Sequence, residues 1–218
     1  MTGDRYRDRV DAGRRLADAL LDEPVDDAVV LGLPRGGVVV ATEVARRLGA
    51  PLDVVVVRKL GLPTAPEVAM GAIGEGGVRL LDLDLVRRCG VTAEEVAEVE
   101  RVEQALLDLR LQRFRNGPLP DLQHRTALLV DDGIATGATA AAACEVVRRA
   151  GAARVVLAAP VGARRVVAAL RGPDVVVCPL QPDPFDAVGR WYGRFDEVTD
   201  ADVVRLLRAA REHAGVPT

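Results

Sequence analysis

The chain has 218 residues, of which 49% are hydrophobic and 28% charged, and its formal net charge is −3 at pH 7. This length and composition predict a single α/β domain over residues 1–218, and the lack of a global basic charge argues against a nucleic-acid partner. The three cysteines lie far apart in the sequence, and there are two histidines. We therefore expect neither a zinc site nor a disulfide framework.

No apolar run approaches the ~20 residues that a membrane helix needs. The opening residues, MTGDRYRDRV, also lack the apolar region of a secretory signal. The sequence thus predicts a soluble, cytoplasmic protein with no membrane partner.

The predicted elements alternate between helices and buried strands. In chain order they are a helix within 4–21, a strand at 27–34, a helix from Val38 to Leu48, a strand at 51–60, a hairpin at 67–82 that turns at 74–77, a long helix at 93–115, a strand at 127–131, a helix at 139–150, a strand at 153–160, a short helix at 163–171, a strand at 174–180 and a last helix at 201–213.

The long helix at 93–115 has the clearest start signal in the chain. Thr92 and Glu95 have the spacing of a capping box, in which each side chain bonds the other residue's backbone N–H. Its apolar residues predict one buried stripe, formed by Val96, Val99, Val102, Leu106 and Leu109. The helix could serve packing, a lid or a homodimer interface, and the sequence does not choose among them.

Strands that alternate with helices predict a three-layer, Rossmann-like fold with a doubly wound, mainly parallel sheet. Two segments fall outside this alternation: an inserted hairpin, loop and long helix at 61–126, and a small segment at 181–200 that we call the hood. In such sheets a ligand binds beyond the carboxyl ends of the strands. Three unusual sequences occupy those ends, namely PRGG (34–37), RKLG (58–61) and DDGIATGAT (131–139).

The most informative stretch is LLVDDGIATGATA (128–140), in which a buried strand runs into two adjacent carboxylates, Asp131 and Asp132. Like charges at such a position repel each other and are penalised by desolvation, so a ligand or a cation should compensate for them. The loop after them begins a helix whose first amides can cradle a phosphate. A sugar phosphate with two neighbouring hydroxyls fits both features, because carboxylates accept hydrogen bonds from hydroxyls.

The run VDDGIATGAT (130–139) resembles the donor-binding signature of type I phosphoribosyltransferases. By that resemblance, Asp131 and Asp132 are the catalytic acids, which hold the ribose hydroxyls and contact a metal ion indirectly. The resemblance also assigns the 5-phosphate to the loop of Ala135, Thr136, Gly137, Ala138 and Thr139. The competing interpretation is an ordinary strand, turn and helix with acids that face solvent.

The other two strand ends carry basic residues and glycines. In the family a short loop at the position of Arg35, Gly36 and Gly37 grips pyrophosphate, and Arg58 with Lys59 would add two more cations. The alternatives are a plain turn at PRGG and a strand that simply emerges into water at RKLG. The family also carries a mobile loop that closes over the reaction at the position of residues 61–77. The glycines and prolines of this segment allow either such a lid or a plain hairpin.

Four of the six aromatic residues fall within 182–195, directly after the last predicted strand. The order Pro182-Asp183-Pro184-Phe185, followed by Val188-Gly189, resembles the hood of hypoxanthine–guanine phosphoribosyltransferases, with one extra residue. We therefore expect Phe185, Trp191 and Tyr192 to stack on a planar base. The alternative for Trp191, Tyr192 and Phe195 is a small satellite core that holds the last helix.

The resemblance implies a Mg²⁺-dependent glycosyltransferase of nucleotide metabolism. Such an enzyme would move a phosphoribosyl group from 5-phosphoribosyl 1-diphosphate to a nitrogen acceptor, such as a nucleobase, and release pyrophosphate. Two other functions stay open: a non-catalytic protein that senses the same ligand, and a hydrolase or phosphorylase of a sugar phosphate. The acceptor is not specified by the sequence.

Overall fold

The computed structural model describes residues 5–115 and 117–213. The elements in chain order are α1 (Arg9–Ala19), β1 (Ala28–Gly32), α2 (Gly36–Leu48), β2 (Leu52–Val54), β3 (Val57–Leu62), β4 (Ala65–Gly74), β5 (Val78–Leu81), α3 (Leu83–Arg88), α4 (Ala93–Phe114), β6 (Thr126–Val130), α5 (Ala138–Arg149), β7 (Arg154–Ala158), α6 (Arg164–Ala169), β8 (Val175–Val177) and α7 (Asp200–His213). Short 3₁₀ turns occupy Glu75–Gly77 and Val188–Trp191.

Five strands form a parallel sheet in the order β2-β1-β6-β7-β8. The chain therefore winds outward in one direction from β1 and in the other from β6, which confirms the predicted doubly wound α/β fold. The connections of β1 and β6 lead to opposite sides of the sheet, so their carboxyl ends flank the crevice where such folds bind ligands. Gly32 and Val130 are register partners at these ends, so the two following loops leave the sheet side by side.

Alternate residues of the central strands enter different hydrophobic clusters. Val30 and Leu128 belong to a cluster that includes residues of α1, α2, α4 and α7. Val29 and Leu129 belong to a second cluster, built mainly with α5 and with β3, β4 and β5. The sheet is thus covered on both faces, as the continuous apolar runs of its strands predict.

The apolar run at 51–60, predicted as one strand, forms two strands in different sheets. β2 pairs with β1, whereas β3 joins an antiparallel sheet with β4 and β5. Two buried charged residues stabilise the break: the Val56 N–H donates to Glu75 Oε1 at 3.0 Å, and Arg115 Nη1 donates to the Val54 carbonyl at 2.9 Å. Glu75 and Arg115 also form an ion pair, and each is 8% exposed.

α4 confirms the predicted capping box, since both hydrogen bonds between Thr92 and Glu95 are present. The predicted apolar stripe is wrong beyond its first turns. Leu109 is 61% exposed, whereas Leu107 and Phe114 are buried. α4 is therefore rotated relative to the prediction, and the short helix α3 before it was not predicted.

Across the two described stretches of chain, none of the helices has both the length and the apolar character required to cross a membrane.

Candidate functional site

The acidic pair lies directly beyond the carboxyl end of β6. The Asp131 N–H donates to the Ala158 carbonyl at 3.1 Å, and Asp131 Oδ1 accepts from the Asp132 N–H at 2.8 Å. Burial, and then the charge of Asp132, raise the pKa of Asp131 well above its ordinary value. The charged form of the Asp131 carboxyl group therefore needs a positive charge or a hydrogen-bond donor to stabilise it.

Arg9, at the start of α1, compensates for the charge of the pair. Its Nε donates to Asp132 Oδ2 at 2.7 Å, and the two side chains are 11% and 16% exposed. The guanidinium also lies 3.7 Å from the centroid of the Phe195 ring, and Nη1 donates to the Asp196 carbonyl. Sequence reasoning missed Arg9 because 123 residues separate it from its partner.

The PRGG loop approaches the acidic pair closely enough to require glycine. A Cβ on Gly36 would lie 1.9 Å from Asp132 Oδ2, and one on Gly37 would lie 2.7 Å from the Val130 carbonyl oxygen. The Pro34–Arg35 peptide is cis. Arg35 Nη2 donates to Glu197 Oε1 at 2.7 Å, in a pair in which the Glu197 side chain is 76% exposed. A ligand can therefore compete with Glu197 for the guanidinium.

The loop at 135–139 leads from the acidic pair into α5. Gly137 has φ +78° and serves as the N-cap, and it provides no side chain to bond the first amides of the helix. Those amides are available to an anion. Ala135 and Thr136 are exposed, and Ala138 and Thr139 are half-buried. The loop therefore presents backbone donors beside the carboxylates.

Arg58 and Lys59 line a cleft of about 500 Å³ between the antiparallel sheet and α4. Pro34 of the PRGG loop and Thr139 of the 135–139 loop line the same cleft, so the three unusual sequences converge on one region. Arg58 and Lys59 lie near the start of β3 in the antiparallel sheet, so the prediction that RKLG follows the carboxyl end of a parallel strand is wrong. Arg58 Nε donates to Glu103 Oε2 of α4 at 2.6 Å, and Lys59 Nζ donates to the Glu67 carbonyl at 2.9 Å. Arg110 also lines this cleft and was not predicted as a site residue.

The family model for the phosphoribosyl transferase domain matches residues 4–186 of this chain. The chain belongs to the phosphoribosyl transferase family. This confirms the resemblance drawn from VDDGIATGAT, and the matched range contains the acidic pair, all three unusual sequences and Arg9.

Relatives agree with this membership. Two proteins of Mycobacterium tuberculosis strains, "Putative phosphoribosyl transferase Rv0571c" and "Putative phosphoribosyl transferase MT0597", are each 53% identical over 213 residues. The alignment covers 96% of this chain and 48% of each relative, so the chain spans about half the length of these curated relatives. The solved structure of TT1426 from Thermus thermophilus has 46% identity and a TM-score of 0.79, and the match covers 93% of this chain and 97% of that one.

The family match ends within the predicted hood, so Trp191 and Tyr192 lie beyond it. Tyr192 is 3% exposed and packs with Tyr6 and Val161 in a small cluster. Its hydroxyl donates to the Asp132 carbonyl at 2.6 Å, and burial raises the Tyr192 pKa. This placement favours the satellite-core alternative for Tyr192, because its ring faces are covered.

Phe185 and Trp191 pack at the edge of the same cluster and are half-buried. Trp191 Nε1 is buried and has no hydrogen-bond partner among the residues that the structure describes. These two rings therefore remain the accessible aromatic surfaces of the predicted base-stacking set.

Proposed function

We propose that this phosphoribosyl transferase domain moves a phosphoribosyl group from 5-phosphoribosyl 1-diphosphate to a nitrogen acceptor and releases pyrophosphate, with Mg²⁺ as cofactor. The observation that carries the proposal is the convergence of two loops on one crevice. An acidic pair, an uncapped helix start and a glycine loop that touches the pair lie together at the carboxyl ends of β1 and β6.

Each part of the proposed donor has a chemical match in this crevice. The 5-phosphate suits the amides and hydroxyls of residues 135–139, because the start of α5 carries the positive end of the helix dipole. The ribose hydroxyls can donate to Asp131 and Asp132. The pyrophosphate suits Arg35, the amides of Gly36 and Gly37, and the cations Arg58 and Lys59.

In the proposed reaction the bond between ribose C1 and the pyrophosphate oxygen breaks, and its electron pair leaves with pyrophosphate. The lone pair of the acceptor nitrogen forms the new bond to C1, and the nitrogen then loses its proton. Positive charge develops on the ribose ring, and negative charge develops on the leaving group. The chain's contribution is to position the two reactants and to place carboxylates and cations where these charges appear.

The donor atoms present suit Mg²⁺ that is shared with the substrate. Among the described residues, no three His, Cys, Asp or Glu side chains gather in a way that could hold a metal alone. Mg²⁺ is commonly held by one or two carboxylates together with substrate phosphates, and Asp131 and Asp132 would supply that share, directly or through ribose or water. When bound, the ion would neutralise charge on the leaving pyrophosphate.

The acceptor is proposed as a planar nitrogen heterocycle, such as a nucleobase. The support is that the half-buried Phe185 and Trp191 rings pack against the cluster of Tyr192, whose hydroxyl donates to the Asp132 carbonyl. Such rings can stack on a base without selecting one base over another.

The test is a calorimetric titration with 5-phosphoribosyl 1-diphosphate, with and without Mg²⁺. We expect the wild type to bind and the variant Asp131→Asn with Asp132→Asn to lose binding while it remains folded by circular dichroism. The matched control changes the other pair of adjacent aspartates, Asp26→Asn with Asp27→Asn, which precedes β1 at the opposite end of that strand. Pyrophosphate release with a panel of bases then tests transfer.

Lack of binding by the wild type at millimolar ligand would refute the donor assignment. Binding without pyrophosphate release, for any base in the panel, would refute transfer and favour a sensor of the same ligand. Release of pyrophosphate without an acceptor would indicate a hydrolase.

A further inference from the structure

The inward face of α4 carries two charged residues between buried apolar ones. Glu103 and Arg110 are half-buried, and the next inward residues on either side include the buried Leu107 and Phe114. Both charged residues line the cleft that also contains Arg58, Lys59 and Thr139. Half-buried charges on a packing face reduce the stability of the fold unless an opposite charge or a hydrogen bond compensates for them. The partners of Glu103 and Arg110 therefore indicate whether this face of α4 serves packing or binding.

Each carboxylate next to Arg110 accepts from another arginine, although Oδ1 of Asp200 is buried and has no partner among the described residues. Glu103 accepts from Arg58 Nε at 2.6 Å, and Asp200 of α7 accepts from Arg113 Nη1 at 2.8 Å. Arg110 itself has neither an ion pair within 4 Å nor a side-chain hydrogen bond to any residue within 5–115 or 117–213. The cleft therefore holds a guanidinium with its donors free.

The surroundings of Arg110 also disfavour its positive charge. Burial, followed by the charges of Arg58 and Arg35, lowers the pKa of Arg110, and this is not offset by Asp200 and Glu103. Lys59 adds another cation that has only a backbone carbonyl as its partner among the described residues. A ligand with several negative charges would satisfy the free donors and relieve the repulsion at once.

We propose that Arg110 binds the diphosphate group of the donor, so that α4 completes the pyrophosphate side of the active site. This inference rests on the proposed function and deepens it. It gives α4 a role in substrate binding and adds a cation that no local motif marks. The diphosphate would lie in the cleft, between the free guanidinium on α4 and the start of β3 at Arg58 and Lys59.

The experiment compares the affinities of two fragments of the donor in the presence of Mg²⁺. Inorganic pyrophosphate, ribose 5-phosphate and the intact donor are titrated into wild type, Arg110→Gln, Arg110→Lys and Arg208→Gln. A further variant, Arg208→Gln on α7, is the control, because Arg208 is exposed, pairs with Glu212 and does not line the cleft.

We expect Arg110→Gln to weaken binding of pyrophosphate and of the intact donor at least about tenfold, as for a lost charge-assisted hydrogen bond. Its affinity for ribose 5-phosphate should not change. Arg110→Lys should retain part of the pyrophosphate affinity, and Arg208→Gln should retain all of it.

Equal pyrophosphate affinities of Arg110→Gln and wild type would overturn the inference. An equal loss of affinity for both fragments would also overturn it, because such a loss would show a general disturbance of the fold. If the wild type binds neither fragment nor the intact donor, it is the proposed function that fails, and the two failures are therefore distinguishable.

Discussion

The contact between Arg9 and Asp132 should stabilise the fold far more than the surface ion pairs do. Asp132 needs a partner because it lies beside Asp131, and Arg9 Nε meets it at 2.7 Å with the two side chains 11% and 16% exposed. Hydrogen bonds to charged groups contribute about 1.5–3 kcal/mol, whereas exposed ion pairs contribute about 0.2–1 kcal/mol. We expect the buried geometry to place this contact in the upper range.

A double-mutant cycle measures the contact alone. The free energy of unfolding in urea is determined for wild type, Arg9→Met, Asp132→Asn and the double variant. The expected coupling energy is about 1.5–3 kcal/mol. The stacking of Arg9 on Phe195 is lost in both variants that lack Arg9, so it cancels in the cycle.

The control cycle uses Arg208 and Glu212 on α7, whose side chains are 75% and 57% exposed at a distance of 3.2 Å. An exposed pair at this helical spacing should give about 0.3–0.5 kcal/mol. If the Arg9–Asp132 coupling falls to the value of the control, Arg9 does not compensate for the acidic pair and our account of the pair is refuted.

Three further predictions concern the same loops and the strand break. Gly36→Ala should weaken donor binding, measured by calorimetry, and lower the free energy of unfolding by about 1–3 kcal/mol, because its Cβ would lie 1.9 Å from Asp132 Oδ2. The control is Gly76→Ala, whose Cβ meets nothing within 4 Å and which should keep the wild-type affinity. Arg115→Met should lower the free energy of unfolding by about 3–5 kcal/mol, because it leaves Glu75 buried without its partner. Adding Glu75→Gln should restore part of the lost free energy. A loss of less than about 1 kcal/mol in Arg115→Met would contradict the buried-pair account. The pKa of Asp131 in the folded state is raised above 3.8, so the protonated carboxyl group favours the folded state. Its contribution to the free energy of unfolding is complete below pH 3.8 and is lost as the pH rises through the folded-state pKa. Asp131→Asn should therefore gain stability relative to wild type as the pH is raised from about 4 to about 8 in urea unfolding, and a constant difference would be inconsistent with the raised pKa.

The parts of the site that follow buried strands could be predicted from the sequence because their signals are local. Strand, acidic pair, glycine loop and helix follow one another in VDDGIATGAT, and the parallel sheet that brings the loops together follows from the alternation of elements. The compensation by Arg9 has no such signal. Its position depends on how the segment before α1 pairs with the hood, through bonds such as Tyr6 N–H to the Trp191 carbonyl at 2.9 Å.

The break between β2 and β3 could not be predicted for a related reason. No residue within the run from Leu52 to Leu62 marks a boundary, since the break between β2 and β3 falls among the consecutive valines Val54 to Val57. The chain can leave the parallel sheet there because Glu75 and Arg115 bond the backbone groups that the break would otherwise leave buried and unpaired. Those side chains come from a turn and a helix end that lie later in the sequence.

The error on α4 arises because two charged residues interrupt the apolar pattern of its inward face. Its inward face passes through Val96, Val99, Glu103, Leu107, Arg110 and Phe114. Charged residues at Glu103 and Arg110 hide this face from a search for apolar spacing, and such a search instead selects the stripe that ends at the exposed Leu109. Local patterns are expected to fail at functional sites, because polar residues are kept there at a cost in stability. On α4 the two charged residues that interrupt the apolar pattern both line the cleft. This is the result expected if the helix is part of the site.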